Sequence, residues 1–376
     1  MKTERLHNLL QIINNDFSSL SIISLAQNFV NTFTKNIQQP TPEQSQTFNT
    51  AKEELKNALS ECDSNNFVPS QHKMLQKING NKCLGVGLLT EFEIIMNNNI
   101  LTPGDAVKKV SEHFTKVNEF SAAIQSALKS FETLEIGFEY TKENEYEVGF
   151  LLPCKLFNND LEGLQKEVNL INRHMKAICE LVGHEITSPQ IRSVSTGSLE
   201  VFLNALPEVA QCIGECIEAI AILYLAILKL RKHRTELKEE KVPKKDLDPL
   251  EKHEKTRVEE EIEKLTNEIF KKYYKEKTKN RENELKIHLR QAIEFFANRI
   301  DKGVDIEVTP PELLSNEEDT EGNEVKKPNK KETEIIKTLL SQGKALLKIT
   351  TRSEEIVLAL PEPEVEDFDK NEKPNK

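Results

Sequence analysis

Residues 209–230 read VAQCIGECIEAIAILYLAILKL, and the way this stretch packs decides the architecture of the chain. Ile213, Cys216, Ile220, Leu223, Ile227 and Leu230 recur at spacings of three and four, the repeat that lines one face of an α-helix and lays it against a second helix at a shallow angle. The same stretch is the chain's one candidate for a membrane span. Its uninterrupted apolar run, residues 219–228, is about half of the roughly 20 residues a bilayer requires, and Gln211, Glu215 and Glu218 interrupt the rest. A buried helix opened by Pro207 and running to about Lys241 is therefore expected. Membrane contact through 209–230 is the weaker alternative, supported by the flank Lys229-Leu230-Arg231-Lys232.

A partner for the stripe follows closely. After a linker at 241–247, Asp248-Pro249-Leu250-Glu251 offers a helix cap, a proline at the first helical position and a reciprocal acid. Val258, Ile262, Leu265, Ile269 and Tyr273 then continue at spacings of 4, 3, 4 and 4. The expected result is a long antiparallel helical hairpin over 207–303, extended by Leu285, Leu289, Ala292, Ile293, Phe296 and Ile300 as a further helix or its distal part, and stopped by Gly303.

The first 131 residues read as a helical N-terminal region. Leu6, Leu9, Leu10, Ile13 and Phe17 share one face, and Thr41-Pro42 with Gln44 and Thr102-Pro103 mark helix starts. Residues 132–206 change character. Segments 133–140 and 146–157 are rich in β-formers around a polar turn, a helix spans 160–182, and 190–203 is extended with a break at Thr196-Gly197-Ser198. That gives a short β-β-α-β unit with a small mixed sheet. Residues 304–360 suggest short strands and a short helix around a disordered insert at 315–333, and 361–376 form a disordered tail. The fold class expected is mainly α with a small mixed α+β portion.

Composition narrows function by exclusion. The formal charge of −11 repels phosphate backbones and argues against nucleic acid as the main partner. Only 13 glycines occur, few for an α/β enzyme with phosphate loops. Cysteines at 62, 83, 154, 179, 212 and 216 lack the spacing of a disulfide scaffold, which fits a reducing compartment, and the first 16 residues lack the apolar block of a secretion signal. A cytoplasmic protein is expected.

Taken together, Glu145-Tyr-Glu-Val-Gly-Phe-Leu-Leu-Pro153, Asn159-Asp-Leu-Glu-Gly-Leu164, Ile191-Arg-Ser-Val-Ser195, Glu284-Leu-Lys286 and Ala297-Asn-Arg-Ile-Asp301 resemble a family of uncharacterised bacterial proteins of about this length, over nearly the whole chain. The resemblance implies a bacterial, non-secreted protein and carries over no activity and no site residue.

No constellation outweighs its structural explanation. Cys212 and Cys216 lie one turn apart without the further ligands that zinc wants, so core packing accounts for them. The eight histidines form neither HxxxH nor HExxH pairs and read as surface or interhelical hydrogen-bonding residues. Gly85-Val86-Gly87 lacks the third glycine of a dinucleotide fingerprint and reads as a helix entry. Ser195 and Ser198 flank a single glycine, not the pair of a nucleophile elbow. The basic cluster from Lys229 to Lys245 has no aromatic residues for base stacking and reads as a solvated helix end. In Lys271-Lys272-Tyr273-Tyr274-Lys275 rings and cations alternate, but Tyr273 belongs to the packing stripe.

The expectation is a non-enzymatic interaction or scaffold protein without cofactor or metal, whose hairpin stripe serves self-association or a protein partner. The alternatives are a regulatory or effector component of a bacterial stress or anti-phage system, membrane-associated through 209–230, and an unrecognised hydrolase or nuclease.

Overall fold

The computed structural model describes residues 3–139, 145–185, 188–195, 199–240, 242–274, 279–311, 335–336, 338–339, 349 and 356–363. The chain divides into two units, Met1–Tyr140 and Thr141–Lys376.

The first unit is helical throughout: α1 Thr3–Ser19, α2 Ile22–Gln38, α3 Pro42–Glu61, a 3-10 turn Asp63–Asn66, α4 Pro69–Lys77, α5 Gly85–Asn98 and α6 Pro103–Thr133. Helical spacing of apolar residues places Leu9, Ile13, Phe29, Leu55, Leu88, Phe92 and Val117 in a common, fully buried core. The Thr41 hydroxyl accepts from the Gln44 amide at 3.2 Å, the cap expected from the sequence. Gly85 starts α5 at φ +54, and a Cβ there would lie 2.4 Å from Asn65 Oδ1, which accepts from the Val86 amide at 2.9 Å. The Gly85-Val86-Gly87 stretch is thus a helix entry.

Residues 134–139 do not form the strand that the β-formers of 133–140 suggest. α6 runs on to Thr133, Glu135 turns the chain at φ +54, and no described residue of 134–139 enters a sheet. Helix α1 supplies the hydrogen bonds that a neighbouring strand would have made. Asn8 Nδ2 donates to the Glu139 carbonyl at 2.9 Å and Asn8 Oδ1 accepts from the Glu139 amide at 3.2 Å, while His7 Nδ1 meets the Gly137 carbonyl at 3.2 Å. One side-chain amide satisfies both backbone groups of Glu139, so pairing with a strand is unnecessary there.

The second unit contains β1 Tyr146–Leu152, α7 Leu161–Leu181, β2 Ile191–Ser195, β3 Leu199–Ala205, α8 Pro207–Glu239, α9 Lys244–Tyr273, α10 Lys279–Asp301 and β4 Asp305–Thr309. The strands form one antiparallel sheet in the order β2-β3-β1-β4, with Val148 opposite Leu203 and Val308. The order along the chain is therefore β-α-β-β followed by β4 after the long helices, in place of the expected β-β-α-β, and the sheet is antiparallel rather than mixed. The broken segment at 190–203 supplies two strands, and β4 pairs with β1 where the sequence suggests a hairpin with 133–140. The broader expectation stands: a mainly α protein with a small α+β part.

Alternation fixes which face of the sheet meets the helices. Tyr146, Val148, Phe150 and Leu152 point to the same side as Val201 and Leu203 and join one core with α7, α8, α9 and α10. Phe150 lies 6.4 Å from Phe296 of α10, centroid to centroid. Helix α7 is capped by Asp160, which accepts from the Gly163 amide at 2.6 Å. After α10, Gly303 adopts φ +92 and the Val304 amide returns to the Arg299 carbonyl at 2.9 Å, closing the helix as its sequence indicates.

Helix α9 starts before the Asp248-Pro249 signal, at Lys244, with Pro249 inside it. Leu247 is buried, so the turn before the proline is held by packing. Residues 196–198, the insert 315–333 and the tail from 364 onward lie outside the described residues, as do most of 334–355.

Candidate functional site

Helices α8 and α9 pack as an antiparallel pair. Glu215 near the start of α8 accepts from Tyr273 Oη at 2.9 Å and from Lys272 Nζ at 2.6 Å at the end of α9. At the other end Arg231 and Arg234 hold Glu254 at 3.4 and 3.3 Å. Along the stripe, Ile213, Cys216, Ile220, Leu223, Ile227, Val258, Ile262, Ile269 and Tyr273 are buried, and Leu230 and Leu265 are half-buried against the same core. These residues meet one another, α7, α10 and the sheet, so the stripe's surface is taken up within the chain.

Cys212 and Cys216 are buried in that stripe. The hydrogen bond between the two thiols, then burial, keeps Cys212 protonated well above the ordinary thiol range. Burial first, and the Glu215 carboxylate second, push the Tyr273 hydroxyl up as well. Both groups are inert at neutral pH, and Tyr273 works as a hydrogen-bond donor. Among the described residues no cluster of three His, Cys, Asp or Glu is placed to hold a metal ion, and no helix is long and apolar enough to cross a membrane.

The densest polar constellation lies elsewhere, along the antiparallel pair α7 and α10. Glu180 meets Arg281 at 2.6 Å, Arg173 Nη2 donates to Gln291 Oε1 at 3.3 Å, and the buried Glu167 meets the buried Arg299 at 2.7 Å. Segment 356–363, expected to begin as a strand, is instead an irregular strap fastened to α10. The Asp301 carboxylate accepts from the amides of Val357, Leu358 and Ala359 at 2.6, 2.9 and 3.0 Å. Asn298 Nδ2 donates to the carbonyls of Leu360 and Pro361, and Glu362 pairs with Arg299 and Lys302. Because Asp301 and Asn298 occupy these backbone groups, this stretch makes no strand ladder.

Between α7, α10 and the strap lies a cavity of about 240 Å³ whose lining includes Arg173, His174, Glu294, Phe295, Pro361 and Glu362. The His174 ring is 3% exposed and stacks on Phe295 with centroids 4.5 Å apart, while the Arg299 guanidinium lies 5.0 Å from the same ring centroid. Burial, then the charges of Arg173, Arg299 and His288, lower the His174 pKa to about 3, so the imidazole is neutral at physiological pH. Its Nε2 is buried without a hydrogen-bond partner. His174 and two glutamates thus line one cavity, yet no carboxylate reaches Nε2, and no acid–base dyad is assembled there.

The site is hidden in the sequence because its parts are scattered: α7 reads as an ordinary amphipathic helix, and the strap lies more than 180 positions beyond His174. The one signal available was Ala297-Asn-Arg-Ile-Asp301, where three polar residues interrupt an apolar face. Of the other histidines, His233 and His253 are exposed and His113 Nε2 meets the Lys82 carbonyl at 2.8 Å, as the surface or hydrogen-bonding reading expects, whereas the buried His72 Nε2 has no hydrogen-bond partner. No known protein family, no curated protein and no solved structure matches the chain.

Proposed function

We propose that the protein is a non-enzymatic interaction or scaffold protein that engages an acidic protein surface, on a partner or on a second copy, through the free end of the α8–α9 hairpin. The observation that carries this reading is where the core stops. Helix α8 is 33 residues long, about 50 Å at 1.5 Å per residue, but the fully buried core follows it only as far as Ile227, with Leu228 and Leu230 half-buried against it, and follows α9 only from Val258 onward. Beyond those points Leu247 and the Arg231–Glu254–Arg234 clamp hold the pair together.

The free end also carries charge of the opposite sign to the chain. Residues 229–257 hold eleven Lys and Arg against seven Asp and Glu, in a chain of net charge −11. Lys229, Lys232, Lys252 and Lys255 are exposed. A local positive end on an acidic body favours docking to acidic protein surfaces by long-range attraction. All six thiols are free, which supports a reducing compartment such as the cytoplasm. The stripe of α8 is occupied by α9 and the sheet, which speaks for a protein partner over a membrane.

Light scattering and crosslinking test this reading. The expected result is association, of the protein with itself or with a partner recovered by crosslinking in its host, that weakens in salt and is lost in the K229E/K232E/K252E/K255E variant. A strict monomer at high micromolar concentration with no crosslinked partner overturns it, and so does association indifferent to the four reversals.

A further inference from the structure

We propose that the cavity between α7, α10 and the strap is a binding site for a free α-amino acid, its carboxylate directed to His174 and Arg173 and its ammonium group to Glu294 and Glu362. The polarity of the lining carries this assignment. At the inner end stands His174, almost fully buried, with a ring nitrogen that lacks a partner and with Arg173, Arg299 and His288 as its charged or titratable neighbours. A neutral imidazole with cations around it donates a proton from Nε2 to an acceptor oxygen, and positive potential favours an anionic one. Arg173, on the same helix and in the same lining, adds a guanidinium.

The outer end has the opposite sign. Glu294 and Glu362 line the cavity there with side chains 29% and 62% exposed. Glu294 is tied to Arg290 through Oε1, and Glu362 to Arg299 and Lys302. A carboxylate has about four lone-pair positions, so each retains capacity for an ammonium donor. Pro361 and Pro363 supply apolar wall. A site of about 240 Å³ lined by one guanidinium, one imidazole and two carboxylates discriminates by charge separation. An α-amino acid carries its two charges on groups bonded to one carbon and leaves its side chain for the proline wall, whereas a simple anion meets the two carboxylates unfavourably and a simple cation meets Arg173.

The strap makes the site conditional on one anchor. Pro361, Glu362 and Pro363 belong to the segment that Asp301 and Asn298 fasten to α10, so three of the eight lining residues, one of the two carboxylates among them, depend on that fastening.

The test uses the full chain and the free α-amino acids, one at a time at millimolar concentration, followed by calorimetry and by the His174 ring resonances. At least one is expected to bind and to shift those resonances. Its N-acetyl derivative, which lacks the ammonium, and its methyl ester, which lacks the carboxylate, are expected to bind at least about tenfold more weakly. His174→Phe keeps the ring stack on Phe295 while removing both nitrogens, and is expected to lose binding with its helical circular dichroism unchanged; Glu362→Gln, on the exposed rim, is expected to weaken the amino acid and to leave the residual binding of its N-acetyl derivative, which carries no ammonium, unchanged. The proposal is overturned by the absence of binding for every amino acid, by derivatives that bind as tightly as the parent, or by undiminished binding to folded His174→Phe.

Discussion

Breaking the Glu167–Arg299 pair is expected to cost more than deleting it whole. Both side chains are 5% exposed and their charged atoms are 2.7 Å apart. Arg299 has two further acceptors, Asn298 Oδ1 at 2.5 Å and the exposed Glu362 at 3.2 Å. Glu167→Leu therefore leaves a guanidinium in a nearly water-free position with one amide and one rim carboxylate, and removing one member of a buried pair costs about 3 kcal/mol. Arg299→Met strands the Glu167 carboxylate and costs about as much. The double variant buries apolar side chains of similar volume with no charge left behind, so its cost is expected near 1 kcal/mol, giving a coupling of several kcal/mol between the sites. For a unit the size of Thr141–Lys376, the single changes correspond to a fall in Tm of roughly 6–12 °C. Urea unfolding followed by circular dichroism on the four proteins of the cycle measures this. If the double variant loses the sum of the two singles, the charges do not depend on each other and the account of the α7–α10 contact is wrong. A second readout separates packing from fastening: Arg299→Met removes a partner of Glu362, so proteolysis within 356–363 should accelerate more in that variant than in Glu167→Leu.

Two further outcomes follow from buried polar groups. His174→Phe removes an unpartnered buried nitrogen and should raise stability at pH 7 by about 1 kcal/mol. Because the folded His174 pKa is about 3 against an ordinary 6.5, its neutral form supports the fold fully above pH 6.5, and that support is lost as pH falls from 6.5 through 3. The stability advantage of His174→Phe over the parent should therefore grow across that window, and a constant difference would rule out His174 as the acid-sensitive group among its neighbours Arg173, His288, Glu294, Arg299 and Glu362. In the helical unit, Asp16 is 3% exposed and accepts from the amides of Asp63 and Ser64 at 2.8 and 3.0 Å. Asp16→Ala should cost about 2–4 kcal/mol for two orphaned donors and should lower the Cys62 pKa, which burial first and Asp16 second push up to about 12; a thiol titration that does not move would show that burial acts alone.

The long elements were legible in the sequence because each carries its own period. The spacing of Ile213, Cys216, Ile220, Leu223 and Ile227, with Pro207 ahead of it, is enough to fix α8, and Asp160, Thr41 and Gly303 mark boundaries by chemistry that acts within four residues. Segment 133–140 misleads because its β-formers describe an affinity for extended backbone and not a partner. The partner is the Asn8 amide, 131 positions away, and no local pattern announces it. The strap is hidden for the same reason: Asp301 and Asn298 meet it across 56 to 63 positions, by hydrogen bonds to backbone that any sequence can offer.

The two proposals draw on one physical asymmetry in the second unit. Apolar periodicity is exhausted where α8 packs on the sheet and α9 packs on α8 and α10, so those helix faces have no free surface with which to act. What the core leaves over is charge, and it is sorted by place. Cations gather at the hairpin's free end, and the Arg173 guanidinium shares the α7–α10 cavity with the Glu294 and Glu362 carboxylates. Glu254 and Glu167, buried acids that each hold arginine, show what the fold does with charges that it encloses: it pairs them. The His174 nitrogen is enclosed and left unpaired. A buried polar atom in that state raises the free energy of the empty protein and is relieved by whatever satisfies it. The cavity and the hairpin end therefore make separable claims, since charge reversal at Lys229, Lys232, Lys252 and Lys255 should leave the amino-acid site intact, and His174→Phe should leave association intact. Loss of both properties in either variant would mean that the two regions communicate through α8 and α10, which pack against each other, and the unit would then have to be treated as one site.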